Sequence, residues 1–452
     1  MTLHVIILAA GQGSRMKSDL PKVIHPLAGK AMLQHVIDTA ATLGASGIHV
    51  VVGHGADKVK QSVRSENINW CLQEQQLGTG HAVAQALPLI PNSATVLILY
   101  GDVPLIKAET LAAMVQSVSP GQMSLLTVDM ENPSGYGRII RDSNGDINAI
   151  VEEKDATESQ RLINEINTGI LAISEQTLRD CIPQLGNDNS QGEYYLTDVI
   201  ELAVSHGCRV ESFHPRFEQE VQGVNSRLQL CELECWYQSQ LAEQLMLDGV
   251  TLFDPHRIDI RGELSCGKDL TIDINCVFEG TVDLGDRVSI GPNCVLKNTR
   301  VGNDTVILAN SVLEDSIVGE HVNIGPFART RPGTVLENHS KVGNFVETKN
   351  TTVGEGSKVN HLSYVGDTTI GIATNIGAGT ITCNYDGANK FKTKLGDRVF
   401  IGSNTALVAP LSIDNDATVG AGSTITGDVS NGQLAVARSR QKNIDGWTKP
   451  TK

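Results

Sequence analysis

The chain is poor in aromatic residues, which make up 4% of its 452 positions, and it carries no surplus of positive charge. Lys plus Arg is 36 against 51 for Asp plus Glu, a net charge of -15. This balance argues against non-specific binding to nucleic acid or anionic membrane, which needs a positive field. It leaves room for a local basic pocket that takes a phosphate-bearing small molecule. No apolar run reaches the roughly 18 residues of a membrane span. The run Leu3 to Ala10 lacks the basic start and small-residue cleavage site of a signal peptide, and reads as a buried first strand. No CxxC pair occurs among the nine cysteines, and their odd, scattered placement predicts reduced thiols in a cytosol. Cys231 and Cys235 are four apart without a second pair nearby, so a structural zinc site is not expected there.

What is present divides into two halves with different periods. In the front half, apolar runs at Val5 to Leu8, Ile48 to Val52, Val96 to Tyr100, Ser124 to Val128 and Ile170 to Ile173 alternate with helical patterns such as Met32 to Leu43, which Gly44 stops. This predicts an α/β domain with a mostly parallel sheet covered on both faces, and ligands beyond the carboxyl ends of its strands. Leu228 to Asp248 holds no Gly or Pro and is followed by Gly249, which predicts a helix serving as a rigid connector. The domain expectation is therefore residues 1–226, a linker helix 227–248, and a second domain 249–452.

Beyond the helix an aliphatic residue recurs every six positions. Ile272, Phe278, Leu284, Ile290 and Leu296 form one phase, Val318 to Val342 another, continued by Val353, Val359 and Val365; Leu395 to Ile425 is the longest clean run. Small residues often follow four places later. Such a period marks a parallel β-helix with one flat face per hexapeptide, and 18 residues per coil gives roughly eight coils over 272–425. Cys383 to Lys394 breaks the period and contains Asn-Tyr-Asp-Gly, as expected of a loop leaving the prism, and such loops tend to carry function.

The first strand runs into LAAGQGSRMKSDLPK. Gly11 and Gly13 allow close approach of a ligand, while the dinucleotide fingerprint and the P-loop are both excluded by spacing. Arg15 and Lys22 beside this glycine loop suit a nucleoside triphosphate. In the repeat half, Arg329, Arg331 and Lys349 put cations among aliphatics and glycines, and His361 is a natural acceptor for a proton from an amine.

The glycine loop with its following Pro-Lys resembles the sugar-phosphate nucleotidyltransferase family. So do Gln73, Leu77-Gly78-Thr79-Gly80, Tyr100-Gly101-Asp102, Gly135 to Arg138, Glu152-x-Lys154-Asp155, Asn167-Thr168-Gly169 and Gly223-Val224-Asn225. The whole chain resembles the bifunctional bacterial enzymes that join N-acetylglucosamine-1-phosphate uridyltransferase to glucosamine-1-phosphate N-acetyltransferase. Ser14 stands where Thr is commoner and keeps the hydroxyl. The resemblance implies a Rossmann-like nucleotidyltransferase domain, a linker helix and a left-handed parallel β-helix of hexapeptide repeats. It implies Mg²⁺ held by Asp102 and Asn225, and a triphosphate clamped by Arg15 and Lys22. Leu8, Ala9, Ala10, Gly11, Gln73, Gly78, Thr79, Tyr100 and Gly101 would contact the nucleotide, and Gly137, Glu152 and Asn167 the sugar. In the repeat half it implies His361 as base, with Arg331, Lys349, Tyr364 and Asn375 around glucosamine 1-phosphate. Ala378, Asn384, Tyr385, Ser403, Ala421 and Arg438 would line the acetyl-CoA groove. UTP, N-acetylglucosamine 1-phosphate and a homotrimeric, cytoplasmic assembly complete these expectations, with no nucleic-acid or membrane partner.

Overall fold

A computed structural model describes residues 2–64 and 67–451. The chain divides into two compact units, with the boundary in sequence between Tyr237 and Gln238.

The first unit is built on β1 (Leu3–Ala9), β2 (Gly47–Val52), β3 (Ile68–Leu72), β4 (Thr95–Tyr100), β5 (Gln122–Asp129), β6 (Arg138–Arg141), β7 (Ile147–Val151), β8 (Glu165–Ser174) and β9 (Arg209–Phe213). The main sheet runs β9-β5-β8-β4-β1-β2-β3, with β6 and β7 attached beside β8. Every neighbour along it is parallel except β8, which runs antiparallel to both β4 and β5. Strand β1 explains the layering. Its side chains alternate in direction, so Ile6 and Leu8 enter one core while Val5, Ile7 and Ala9 enter the other. Helices α1 (Met32–Thr42) and α3 (Ala108–Ser117) cover the second core with Leu33, Val36, Leu111 and Met114. Helices α2 (Thr79–Ala86) and α4 (Asp198–Ser205) cover the first with Val83, Ala86, Val199 and Ile200.

Helix α5 (Arg227–Leu247) ends where expected, with Gly249 at φ 95° donating to Met246 O. Its first half belongs to the first unit: Leu233 is buried with Met16, Leu27, Met32 and Val224. Its second half belongs to the second unit, where Ala242 joins the core of the first coils and Gln238 exchanges two hydrogen bonds with the backbone of Ile260.

The second unit is the β-helix. One sheet has 11 strands, one from each coil, and all are parallel. The recurring aliphatics face inward and stack: Ile290 pairs with Ile307, Ile324 with Val342, Ile401 with Val419, all buried. The small residues four places on, among them Ser311, Thr334, Ser357 and Thr405, are buried at the corners.

The uniform 18-residue coil read from the sequence needs correction. Coils of 18 are interspersed with consecutive pairs of 17-residue coils, because Leu296 to Val301, Leu313 to Val318, Thr348 to Val353 and Val365 to Ile370 are steps of five, not six. Val353 therefore starts a new phase. Each short corner turns on one left-handed residue, namely Asn298, Asp315, Asn350 and Asp367, at φ 42–50°. Asn and Asp tolerate that conformation because their short polar side chains bond locally. One coil is longer. Ile370 pairs with Leu395, 25 residues on, and the excess leaves the prism as loop 384–392, closed by a bridge between Tyr385 and Lys390.

Candidate active sites

The cleft of the first unit lies at the carboxyl ends of β1, β2, β3 and β4, where the topology of an open parallel sheet leaves room. It encloses about 560 Å³ and is lined by ten of the expected residues: Leu8, Ala9, Ala10, Gly11, Lys22, Gln73, Gly78, Thr79, Tyr100 and Asp102. The two glycines of the loop have different reasons. Gly13 sits at φ 64°, and a Cβ there would lie 2.6 Å from Lys22 Cβ. A Cβ on Gly11 would meet no protein atom within 4 Å, so the chain's own packing does not demand glycine there.

Lys22 is the centre of the site. Its Nζ donates to Asp102 Oδ2 at 2.5 Å and to Asn225 Oδ1 at 3.0 Å. Asp102 follows β4 and Asn225 precedes α5, so residues 123 positions apart converge on one cation. The donors are a carboxylate and an amide oxygen, the hard ligands that suit Mg²⁺, and two of them suffice where waters and phosphates supply the rest. Among the described residues no cluster of three or more His, Cys, Asp or Glu is arranged to hold a metal.

Gln73 is buried, and its amide group faces Gly78 O at 3.1 Å and His81 Nδ1 at 3.0 Å. Thr79 Oγ1 accepts from Leu196 N, which leaves its O–H to donate. Because β8 is antiparallel, its beginning lies at the same edge as the ends of its neighbours. There the register with β5 slips between Asn167 and Leu171, a bulge of the kind that re-aims side chains beside active sites. Asn167 N donates to Gly137 O, and a Cβ on Gly137 would stand 3.4 Å from Glu152 Oε1. Burial raises the Glu152 carboxyl, with the Thr197 hydroxyl opposing it. Tyr100 is pushed upward by burial and then by the charges of Glu152 and Asp102, so its phenol stays protonated as a donor.

Arg15 is not brought into this cleft. It is exposed in the turn Ser14–Met16. Gly101, Gly137, Glu152, Asn167 and Asn225 stand around the cleft and do not line it. Sequence reasoning missed Gln76 and Glu193, which do. The signal for the second was remote: the backbone of Tyr194 presses on Gly78, where a Cβ would lie 2.6 Å from Tyr194 O.

In the second unit, register explains the spacing of the expected residues. Asn344 pairs with His361, 17 on; the same sheet places Ala378 a coil later, Ser403 after the long coil, and Ala421 after that. The five positions form one column along a corner of the prism. At about 4.8 Å per coil they span roughly 20 Å, and Arg438 Nη1 extends the column by donating to Ala421 O at 2.5 Å. His361 is exposed, and its Nδ1 lies 2.5 Å from Asn344 Oδ1. An amide oxygen only accepts, so in the neutral ring this contact selects the tautomer with the hydrogen on Nδ1 and the lone pair on Nε2. Asn344 was not foreseen; its only signal was the 17-residue offset from His361.

Arg331 and Lys349 occupy one row on the neighbouring face, and Tyr364 pairs with Glu347 in the next row. Arg331 is paired to Glu347 at 2.9 Å. Tyr364 folds over Gly366, where a Cβ would meet its hydroxyl at 2.5 Å. Lys390, also unforeseen, lies against Lys349, and this like charge lowers its pKa. Asn375 stands on the other sheet, between Lys358 and Phe400. Asn384 is buried at the root of the loop, and Tyr385 is exposed on it, donating to Gly387 O.

Comparison with known proteins gives three matching family models. Residues 5–149 match the MobA-like NTP transferase domain, 260–342 the GMPPB C-terminal domain, and 392–427 the hexapeptide repeat of succinyl-transferase. The bifunctional protein GlmU of Marinobacter nauticus is 61% identical over 450 residues, covering 100% of this chain and 99% of its own. That of Stutzerimonas stutzeri is 57% identical over 452 residues and is covered completely, as is this chain. The chain belongs to the bifunctional GlmU family. It is accordingly an enzyme with two transferase activities, uridylyl transfer and acetyl transfer, that make UDP-N-acetylglucosamine, and its β-helix is the left-handed one of hexapeptide proteins.

Proposed function

We propose that each unit carries one complete chemistry, with residues 1–226 forming the uridyltransferase domain, 227–248 the linker helix and 249–452 the acetyltransferase domain. In the first reaction the amine of glucosamine 1-phosphate attacks the thioester of acetyl-CoA. His361 Nε2 accepts the amine proton, Asn344 holds the ring in the required tautomer, and coenzyme A thiolate leaves. Arg331, Lys349 and Lys390 bind the sugar phosphate. Tyr364 and Asn375 bind the sugar. The column Ala378, Ser403, Ala421 and Arg438, with Asn384 and Tyr385 at the loop, takes the extended coenzyme. Its straight run along several coils is the observation that carries this assignment.

In the second reaction the phosphate oxygen of N-acetylglucosamine 1-phosphate attacks the α-phosphorus of UTP and pyrophosphate leaves. Two anions must meet, so the site needs positive charge more than a base. Lys22 supplies a fixed cation, and Arg15, exposed in the turn Ser14–Met16 outside the cleft, would have to move to reach the triphosphate. Ala10 and Gly11, beyond the end of β1, would offer backbone N–H groups, with Leu8 and Ala9 lining the cleft beside them. Gln73, Gly78 and Thr79 take the base, and Gly137, Glu152 and Asn167 the sugar. Asp102 and Asn225 would hold Mg²⁺, which supplies charge neutralisation at the reacting phosphates. The convergence of both oxygens on the Lys22 ammonium carries this part of the reading.

Two further points complete it. Asn375 lies on a different sheet from Arg331, Lys349 and Tyr364, which supports sites completed between neighbouring prisms of a homotrimer. All nine cysteines are free, and burial raises the thiol pKa of Cys181, Cys276 and Cys294 to about 11, about 12 and about 11; such thiols suit a reducing cytoplasm. Assays of both half-reactions test the division. Asp102→Ala is expected to abolish pyrophosphate release and spare acetyl transfer, and His361→Ala to lower acetyl transfer by about 10²–10⁴-fold and spare pyrophosphate release. Loss of both activities in either folded variant would contradict it.

A further inference from the structure

Asp367 has no part in the chemistry above, yet it is the point on which the acetyl-transfer site is hung. It is 9% exposed, sits at φ 50° in a short corner, and both of its carboxylate oxygens are used. Oδ1 accepts from Asn350 Nδ2 at 2.7 Å and Oδ2 from Asn384 Nδ2 at 2.5 Å. Its backbone N–H donates to Lys349 O, and its carbonyl accepts from Thr393 N. Asn384 is the first residue of the loop that leaves the prism, and Thr393 is the first residue after it. One residue thus holds the exit of the loop, its return, and the strand that ends in Lys349.

The same corner in earlier coils shows what is special here. Asn298 donates to Asp315 in an ordinary Asn–Asp ladder, one bond between successive coils. At Asp367 the carboxylate has a second donor from the loop; burial disfavours its charge, but the bonds from Asn350 and Asn384, and then the nearby Lys349 and Lys390, hold the carboxyl below its usual range. Those two ammonium groups repel each other, and a buried carboxylate beside them offsets that repulsion.

We propose that Asp367 is a positioning residue for acetyl transfer. By bonding Asn384 and Asn350 at once, it fixes the root of loop 384–392 against Lys349 and sets the phosphate-binding lysines and the coenzyme-binding loop in one geometry. This rests on the assignment of Lys349, Lys390 and Asn384 made above. Asp367 touches no substrate itself.

The test is Asp367→Asn in the full-length chain. Asparagine keeps the size but turns one acceptor into a donor that faces another NH₂, and it removes the charge. KM for glucosamine 1-phosphate and for acetyl-CoA should each rise about ten-fold, the order of one lost charged hydrogen bond, with kcat changed less than three-fold and uridylyl transfer unchanged. Asn384→Ala and Asp367→Asn should be non-additive on KM for acetyl-CoA, because they remove the same bond. A purely structural role would lower the melting temperature and leave both KM values alone, and that result would overturn the proposal. Asn350→Gly keeps the left-handed corner and removes only the Oδ1 bond. It should give the same pattern at smaller amplitude, and it decides the matter if Asp367→Asn does not fold. Normal kinetics in Lys349→Ala and Asn384→Ala would mean that the site assignment has failed. Impaired kinetics there with normal kinetics in Asp367→Asn and Asn350→Gly would mean that Asp367 positions nothing.

Discussion

At the scale of single residues, the two sites use opposite devices. The first gathers oxygens around a cation, with Lys22 held between Asp102 and Asn225. The second presents an exposed imidazole whose tautomer is set by a neighbour one coil away. Two outcomes follow at this scale. Chelation of divalent metal with EDTA should stop pyrophosphate release and leave acetyl transfer at its full rate, since Asp102 and Asn225 in the first site are the pair proposed to hold Mg²⁺. Asn344→Ala should lower kcat for acetyl transfer about ten-fold, the order of a lost orienting hydrogen bond, with KM for acetyl-CoA little changed; an unchanged kcat would show that His361 needs no partner. Residue identities were legible where a motif was compact. Lys22, Asp102 and Tyr100, read in this way, all line the cleft. Arg15 was read from its place in the motif, but the turn Ser14–Met16 leaves it exposed. Glu193, Asn344 and Lys390 were not legible, because each is brought beside its candidate site by folding and not by a local motif.

At the scale of elements, periodicity carried the reading and small irregularities escaped it. The inward aliphatics of the β-helix stood out because every coil repeats them. The five-residue steps did not, since one missing residue looks like noise until the corner shows a left-handed Asn or Asp. Asn310, at φ 60°, tests the corner rule away from both sites. Asn310→Ala should destabilise the second unit by about 1–2 kcal/mol in urea unfolding, whereas Asn310→Gly should cost much less. A second element-level feature was not read from sequence at all. His4 in β1 and His49 in β2 are buried side by side, ring nitrogens 3.1 Å apart. Burial, and then His4, lower the His49 pKa from 6.5 to about 4. A lowered histidine pKa means that the folded state holds the neutral form while the unfolded state takes up a proton below pH 6.5. Stability is therefore fully present above that pH and declines as pH falls towards 4, by up to about 3 kcal/mol from this residue. Urea midpoints between pH 7.5 and 4.5 should show the decline, and His49→Leu should flatten it. An equally steep decline in the variant would assign the acid sensitivity to other groups.

At the scale of the whole molecule, the fold class followed from a change of period between the halves, from alternating strand and helix to a repeat of six. The antiparallel β8 inside the parallel sheet was invisible, because direction is set by the crossover connections and not by the strand's own residues. So was the way α5 is divided: its sequence reads as one uninterrupted helix, yet Leu233 belongs to one core and Ala242 to the other. The central claim is that one chain holds two separable catalysts. The most direct measurement mixes two full-length variants, Asp102→Ala and His361→Ala, with glucosamine 1-phosphate, acetyl-CoA and UTP, and follows both sugar products by mass. Each variant alone should make no appreciable UDP-N-acetylglucosamine. The mixture should make it, after N-acetylglucosamine 1-phosphate has appeared free in solution. A mixture that stays inactive while each variant retains its own half-reaction would contradict the account, because the two chemistries would then depend on one intact chain.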